Sequence, residues 1–94
     1  MYEFDWDEAN SAHLAEHGVS CDEAEEVILN LPLDLDYQNR DGEDRLLQIG
    51  ETDAGRILVV ASTVRDSKVR VVTAFKPRKA LKKEYIVERA KHHG

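Results

Sequence analysis

Two histidines stand four residues apart, His13 and His17, and four arginines, Arg45, Arg56, Arg65 and Arg70, punctuate the middle of the chain. On a helix that spacing puts both imidazoles on one face, a geometry that can ligate a metal. The residues between them are Leu14, Ala15 and Glu16, not the glutamate arrangement of zinc proteases. A plain structural reading of the pair therefore outweighs a metal site. Arginine presents a planar fork of donors that matches phosphate oxygens and stays charged. The competing reading of each arginine is a strand-end charge paired with one of the many carboxylates, which adds little stability. The sequence has no paired cysteines for zinc, no phosphate-cradling glycine loop before a helix and no nucleophile elbow. The single cysteine, Cys21, lies on the apolar stripe of a predicted helix and reads as a small core residue. It cannot close an internal disulfide, which fits a reducing cytoplasm.

The elements that must position these residues follow from periodicity and punctuation. Asp7 can cap a helix over Glu8 to His17, and Gly18 supplies its stop. Ser20 and Glu23 form a capping-box pattern that opens a second helix. Cys21, Ala24, Val27, Ile28 and Leu31 then fall on one face, and Pro32 ends the run. Leu33, Leu35 and Tyr37 alternate with polar residues as a half-buried strand, and Asp41-Gly42 marks a turn. Leu47 and Ile49 sit in a second strand, Ile57 to Thr63 forms a nearly continuous apolar third, and Val69 to Phe75 a fourth. Strict alternation along that last strand would put Arg70 on one face with Val72 and Ala74. After Pro77, residues 78–91 read as a helix with Leu81 and Tyr85 inward and Lys79, Lys82 and Lys83 outward. Glu3-Phe4-Asp5 reads either as a further edge strand or as an extended arm, and Trp6 as an anchor for the first helix. The expected fold is α+β: two N-terminal helices, a four-stranded antiparallel meander sheet with one face covered and one open, and a C-terminal helix.

Ninety-four residues suit one domain over residues 1–94, with one modest core. No apolar run approaches the length of a membrane span, and the start is acidic where a signal peptide would be basic, so a cytoplasmic protein with no membrane partner is expected. The net charge of −6 conceals a strong asymmetry. Residues 1–53 hold 16 Asp/Glu and 2 Lys/Arg, whereas residues 54–94 hold 11 Lys/Arg and 3 Asp/Glu. A phosphate backbone responds to the local basic face rather than to the sum, and the acidic half could attract a basic protein.

Ordered strings carry more information than any single residue. FDWDEAN, HLAEHGVS and DEAEEVI at the start, and NRDGEDRLLQIGETDAGRILVVASTVRDSKVRVVTA in the middle, resemble the BrnT family of type II toxin–antitoxin toxins. The likeness runs from about Phe4 to Ala74 and returns weakly at Tyr85. It implies a RelE-like ribonuclease fold, metal-independent cleavage of an RNA substrate and no cofactor. It also implies neutralisation by a cognate BrnA-like antitoxin with a DNA-binding domain, operator DNA being met only through the complex.

By that resemblance the ribose 2′-OH attacks its own phosphate. This needs a base, a cation for the pentacoordinate phosphate and an acid for the leaving oxygen. Arg65 and Arg70 are expected to stabilise phosphate charge, and Tyr85 or His17 to transfer protons. Arg56, Lys76, Arg78 and Lys79 are expected to bind RNA. Tyr85 reads more readily as a helix–sheet packing residue, and His17 equally as a cation at the negative end of its helix. Two positions depart from the family pattern: Phe75 stands where many members have arginine, and Leu81 where they have glutamate. Both remove polar groups, so the alternative is a catalytically weakened module that only pairs with an antitoxin or nucleic acid.

Overall fold

The computed structural model describes residues 2–93. Asp7 opens α1 (Glu8–Glu16) through a reciprocal cap, its carboxylate accepting from the Asn10 amide while the Asn10 side chain accepts from the Asp7 amide. Two otherwise orphaned donors are thereby satisfied. Asn10 also donates from Nδ2 to the carbonyls of Asp5 and Val71, at 3.0 and 3.1 Å, which ties the helix start to the sheet. Gly18, at φ +71°, ends the turn that Gly18 was expected to end. Ser20 and Glu23 then cap α2 (Cys21–Leu29) as a capping box. Leu31 does not continue the α2 stripe as expected. The helix has already ended, and Leu31 is 81% exposed at φ +53° where the chain turns toward the sheet.

Strands β1 (Leu33–Arg40), β2 (Glu43–Glu51), β3 (Ile57–Arg65) and β4 (Lys68–Phe75) pair antiparallel in sequence order, the expected meander. The β1–β2 and β3–β4 turns hold Asp41-Gly42 and Asp66-Ser67 at positive φ, the conformation whose twist suits a two-residue hairpin. Before the first helix, Phe4 bridges Val69 in parallel, and Trp6 packs against the core while its Nε1 donates to Glu25.

The two faces of the sheet bury different cores. Leu58, Val60, Val71 and Ala74 pack with Leu14, Val19, Ala24 and Val27 beneath α1 and α2. On the other face Ile49 and Val59 pack with Tyr85 of α3 (Lys79–His93), alongside Phe75 and Leu81. The expectation of one wholly open face is therefore corrected. Residues Leu58 to Thr63 of β3 are all buried, and consecutive strand residues point to opposite faces, so both faces need cover.

Two bulges change which residues share a face. Ala61 pairs with Thr73 and Ser62 with Val71, leaving Val72 as an extra residue. Val71 and Ala74 consequently join one core, whereas Arg70 pairs with Thr63 and does not share a face with Ala74. In β1 the register shifts between Asp34 and Asp36, and the strand is mostly exposed rather than half-buried. Among the described residues no helix is long and apolar enough to cross a membrane.

One glycine marks a close approach between layers. A Cβ on Gly50 would stand 3.0 Å from the Pro32 Cβ and 3.2 Å from the Val27 Cγ1. The proline ring has little freedom to move aside. Gly50→Ala is expected to lower stability by about 1–3 kcal/mol, read from the urea midpoint; an unchanged midpoint would show that the α2–β1 junction yields.

Candidate functional site

His17 is the C-cap residue of α1, and its exposed ring lies near the end of β4. The ring stands 5.3 Å from that of His13, edge-on, and 6.4 Å from that of Phe75. Because Phe75 is the last residue of β4, the chain from Lys76 to Lys79 leaves the sheet beside His17. Lys76, Arg78 and Lys79 are exposed, and among the described residues none has an ion-pair partner. Lys82 and Lys83 continue the exposed charge along α3. Cations without carboxylate partners are the ones that an incoming phosphate backbone meets without competition. No group of three His, Cys, Asp or Glu that could hold a metal forms among the described residues, and His13 Nδ1 stands 3.7 Å from the Glu16 carboxylate.

Arg56 belongs to the same end but is already engaged. Its Nη1 donates to the Gly18 carbonyl at 2.9 Å and to both Glu23 oxygens at 3.0 and 2.9 Å. The α1–α2 corner that carries His17 is thereby locked to the loop before β3. Glu23 is held below the usual carboxylate range, first by the Ser20 amide and then by Arg56.

The other expected residues lie elsewhere. Arg70 sits near the opposite end of α1, its side chain 12% exposed, paired with Asp5 at 3.4 Å and Asp7 at 3.0 Å. Its hydrogen bond is the main cause holding the Asp7 carboxyl below its ordinary value. Since Asp7 and His17 bracket α1, they are separated by roughly 15 Å of helix rise. Arg65 ends β3, six residues beyond the Val59 that pairs with Phe75, or roughly 20 Å along the strand. It shares the Glu43 carboxylate with Arg45, at 3.2 and 3.1 Å, and together they depress the Glu43 pKa.

Tyr85 is 2% exposed. Its hydroxyl donates to Glu51 Oε1 at 3.2 Å and accepts from Arg89 Nε at 3.2 Å, with the Arg89 guanidinium 5.3 Å from the ring centre. Burial pushes the phenol up from its ordinary pKa. Arg89 also donates to the Leu31 carbonyl, and Asn30, Thr52 and Asp53 complete a cavity of about 420 Å³ around the pair. Sequence reasoning missed Arg89; its position four residues after Tyr85, on the same helical face, was the available signal. The structure thus gathers His17, Arg56, Lys76, Arg78 and Lys79 at one end of the sheet, and keeps Arg65, Arg70 and Tyr85 apart from them. Phe75 and Leu81, where polar groups were missed, are packing residues of the second core.

The family model described as the ribonuclease toxin, BrnT, of type II toxin–antitoxin systems matches residues 6–84 of this chain. That span takes in both N-terminal helices, the whole sheet and the cationic β4–α3 junction, and stops just before Tyr85 and Arg89. No curated protein matches the chain.

The Glu23–Arg56 clamp carries a pH signature. A carboxyl held below its unfolded pKa stabilises the fold above that value, and the contribution is lost as pH falls through the folded pKa. The native chain should exceed Glu23→Gln in stability by on the order of 1–2 kcal/mol at neutral pH. Denaturant midpoints should show that gap constant down to the ordinary carboxyl value of 4.5 and closing below it. A gap that stays open at lower pH would assign the difference to packing.

Proposed function

This chain belongs to the BrnT family of ribonuclease toxins of type II toxin–antitoxin systems, and on that premise we propose that it cleaves RNA without a metal at the cationic end of its sheet. The single observation that supports the reading is the approach of the His17 ring to Phe75, the last residue of β4, after which the chain carries Lys76, Arg78 and Lys79, unpaired among the described residues. The ribose 2′-OH is the nucleophile, so what the protein supplies is proton transfer and charge. Histidine is the side chain whose ordinary pKa suits both giving and taking a proton near neutrality. His17 takes that role, with His13 against its ring. Lys76, Arg78 and Lys79 neutralise the phosphate on either side of the scissile bond, and Arg56 fixes the corner on which His17 stands. Arg65 and Arg70 join only where RNA phosphates displace Glu43, or Asp5 and Asp7, from their guanidiniums. Tyr85 serves packing, its hydroxyl spent on Glu51 and Arg89.

The partner in this reading is a BrnA-like antitoxin that neutralises the chain in the cytoplasm and brings it to operator DNA. A second reading draws on Phe75, which places an apolar ring where a polar group beside His17 would serve catalysis. It makes the chain a binding module that pairs with the antitoxin and cleaves nothing.

Purified chain incubated with single-stranded RNA in the presence of a chelator separates the two. Cleavage is expected to persist, and His17→Ala to lower kcat by about a hundredfold or more. Lys76→Ala and Lys79→Ala should weaken RNA binding and flatten its salt dependence. Full cleavage by His17→Ala would withdraw its role, and an intact antitoxin complex with no cleavage by the native chain would favour the binding module.

A further inference from the structure

Helices α1 and α2 cover only part of their face of the sheet. Beyond α2 a groove of about 840 Å³ opens, floored by Leu46, Gln48 and Ser62 and walled by Leu31, Tyr37 and Val64. The register places the floor on one face, Leu46 pairing with both Tyr37 and Ser62. Val64 is 73% exposed and Tyr37 65%. With Tyr2, Leu29 and Leu31, these make up five of the eight large hydrophobic side chains exposed among the described residues. A monomeric surface scatters such residues singly, whereas gathering them marks an interaction site. The Asp44 carboxylate, which accepts from the Asn39 side-chain amide, lies beside Tyr37 and pushes its phenol pKa up. A tyrosine ring has few rotatable bonds and so loses little freedom on binding.

Charge decides among occupants. The groove lining contains Glu43 and Asp44 and no lysine or arginine. Asp34 on β1 accepts from the floor residue Gln48 at the edge of the groove, Asp41 follows in the β1–β2 turn, and neither these two nor Asp44 is in an ion pair among the described residues. RNA would be repelled there. A second copy of the chain meeting this face about a two-fold axis would set the same aspartates against one another. A basic protein surface has no such cost. The groove also lies in the layer that α1 and α2 already occupy, so the shape missing from that layer is a helix about 10 Å across.

We propose that this groove docks a lysine- or arginine-bearing amphipathic helix of the antitoxin, its apolar stripe against Leu31, Tyr37 and Val64 and its cations against Asp34 and Asp44. The inference rests on the reading that an antitoxin partners this chain, and it separates two surfaces: the groove lies at the Val64 end of β3, away from His17 and Lys76. The partner is anchored here whatever else it covers.

The test uses the full chain and a BrnA-like antitoxin, with affinity measured by titration calorimetry. Tyr37→Ala and Val64→Lys are expected to weaken the complex by about tenfold or more while leaving RNA cleavage and the thermal midpoint unchanged. Asp34→Lys should slow association and reduce its salt dependence. Native affinity in Tyr37→Ala and Val64→Lys would overturn the proposal. So would sedimentation showing that the chain alone dimerises through the groove and that Val64→Lys abolishes the dimer. If the native chain binds no antitoxin, the partner reading itself fails, an outcome distinct from a complex that forms and ignores the groove. Should Val64→Lys lower the midpoint, Tyr37→Ala, on an exposed side chain, carries the decision.

Discussion

The structure depends on the burial of β3 on both of its faces. Six consecutive residues from Leu58 to Thr63 are removed from solvent, and because alternate side chains point oppositely, no single helical layer can cover them. The chain divides its three helices accordingly, α1 and α2 on one side and α3 on the other. That division has a geometric consequence. A four-stranded sheet with strands of eight or nine residues is too large for so few helices to cover twice. Each face is closed near the Ile57–Phe75 end of the β3–β4 pair, and the β1–β2 hairpin is left bare. The groove and the exposed aspartates of that hairpin are products of the same shortage of cover.

Charge follows the chain in a way that supports the packing. The acidic first half and basic second half meet in ion pairs that span large separations: Arg70 with Asp5 and Asp7, Arg56 with Glu23, and Arg65 with Glu43. The first two pin N-terminal elements to β4 and to the loop before β3, and the third ties β2 to the end of β3. What the pairing leaves over is spatially sorted. Among the described residues most unpaired cations collect at the β4–α3 junction and along α3, and β1 with the first hairpin carries several unpaired carboxylates beside a single unpaired cation, Arg40. A protein of net charge −6 can therefore present one end to a polyanion and the other to a polycation, since neither partner responds to the sum.

Much of this was legible before any coordinates. Asp7, Ser20, Glu23, Gly18 and Asp41-Gly42 signal caps and turns through local bonding, and each element they bound is present. The order of helices and strands followed. The bulges at Leu35 and Val72 were not legible, because an extra residue in a strand is set by its partner's register rather than by its own sequence. They are why strict alternation misplaced Arg70 and overstated the burial of β1. The side taken by α3 was in principle readable from the unbroken apolar run of β3, which excludes a half-covered sheet. At the site, residue types were readable and freedom was not. Whether an arginine is spent on a carboxylate depends on residues such as Asp5, far away along the chain.

That last point bears on which cations meet RNA. Among the described residues the four guanidiniums in ion pairs are Arg45, Arg56, Arg65 and Arg70, which hold carboxylates on β2, on α2 and just before α1. At the β4–α3 junction the cations outside any ion pair among the described residues are mostly lysine: Lys76, Lys79, Lys82 and Lys83, with Arg78 among them. The two side chains suit these different tasks. A rigid fork gains most from a partner fixed in place, whereas a hydrated ammonium on a flexible stem can follow a phosphate that is not. For RNA to claim Arg70 it must displace two carboxylates, one of them the cap of α1, and so loosen the helix that carries His17. Lys76 gives up only water. The arginines that look most catalytic in the sequence are thus the ones the fold can least spare, and the lysines of the β4–α3 junction are the ones it leaves available.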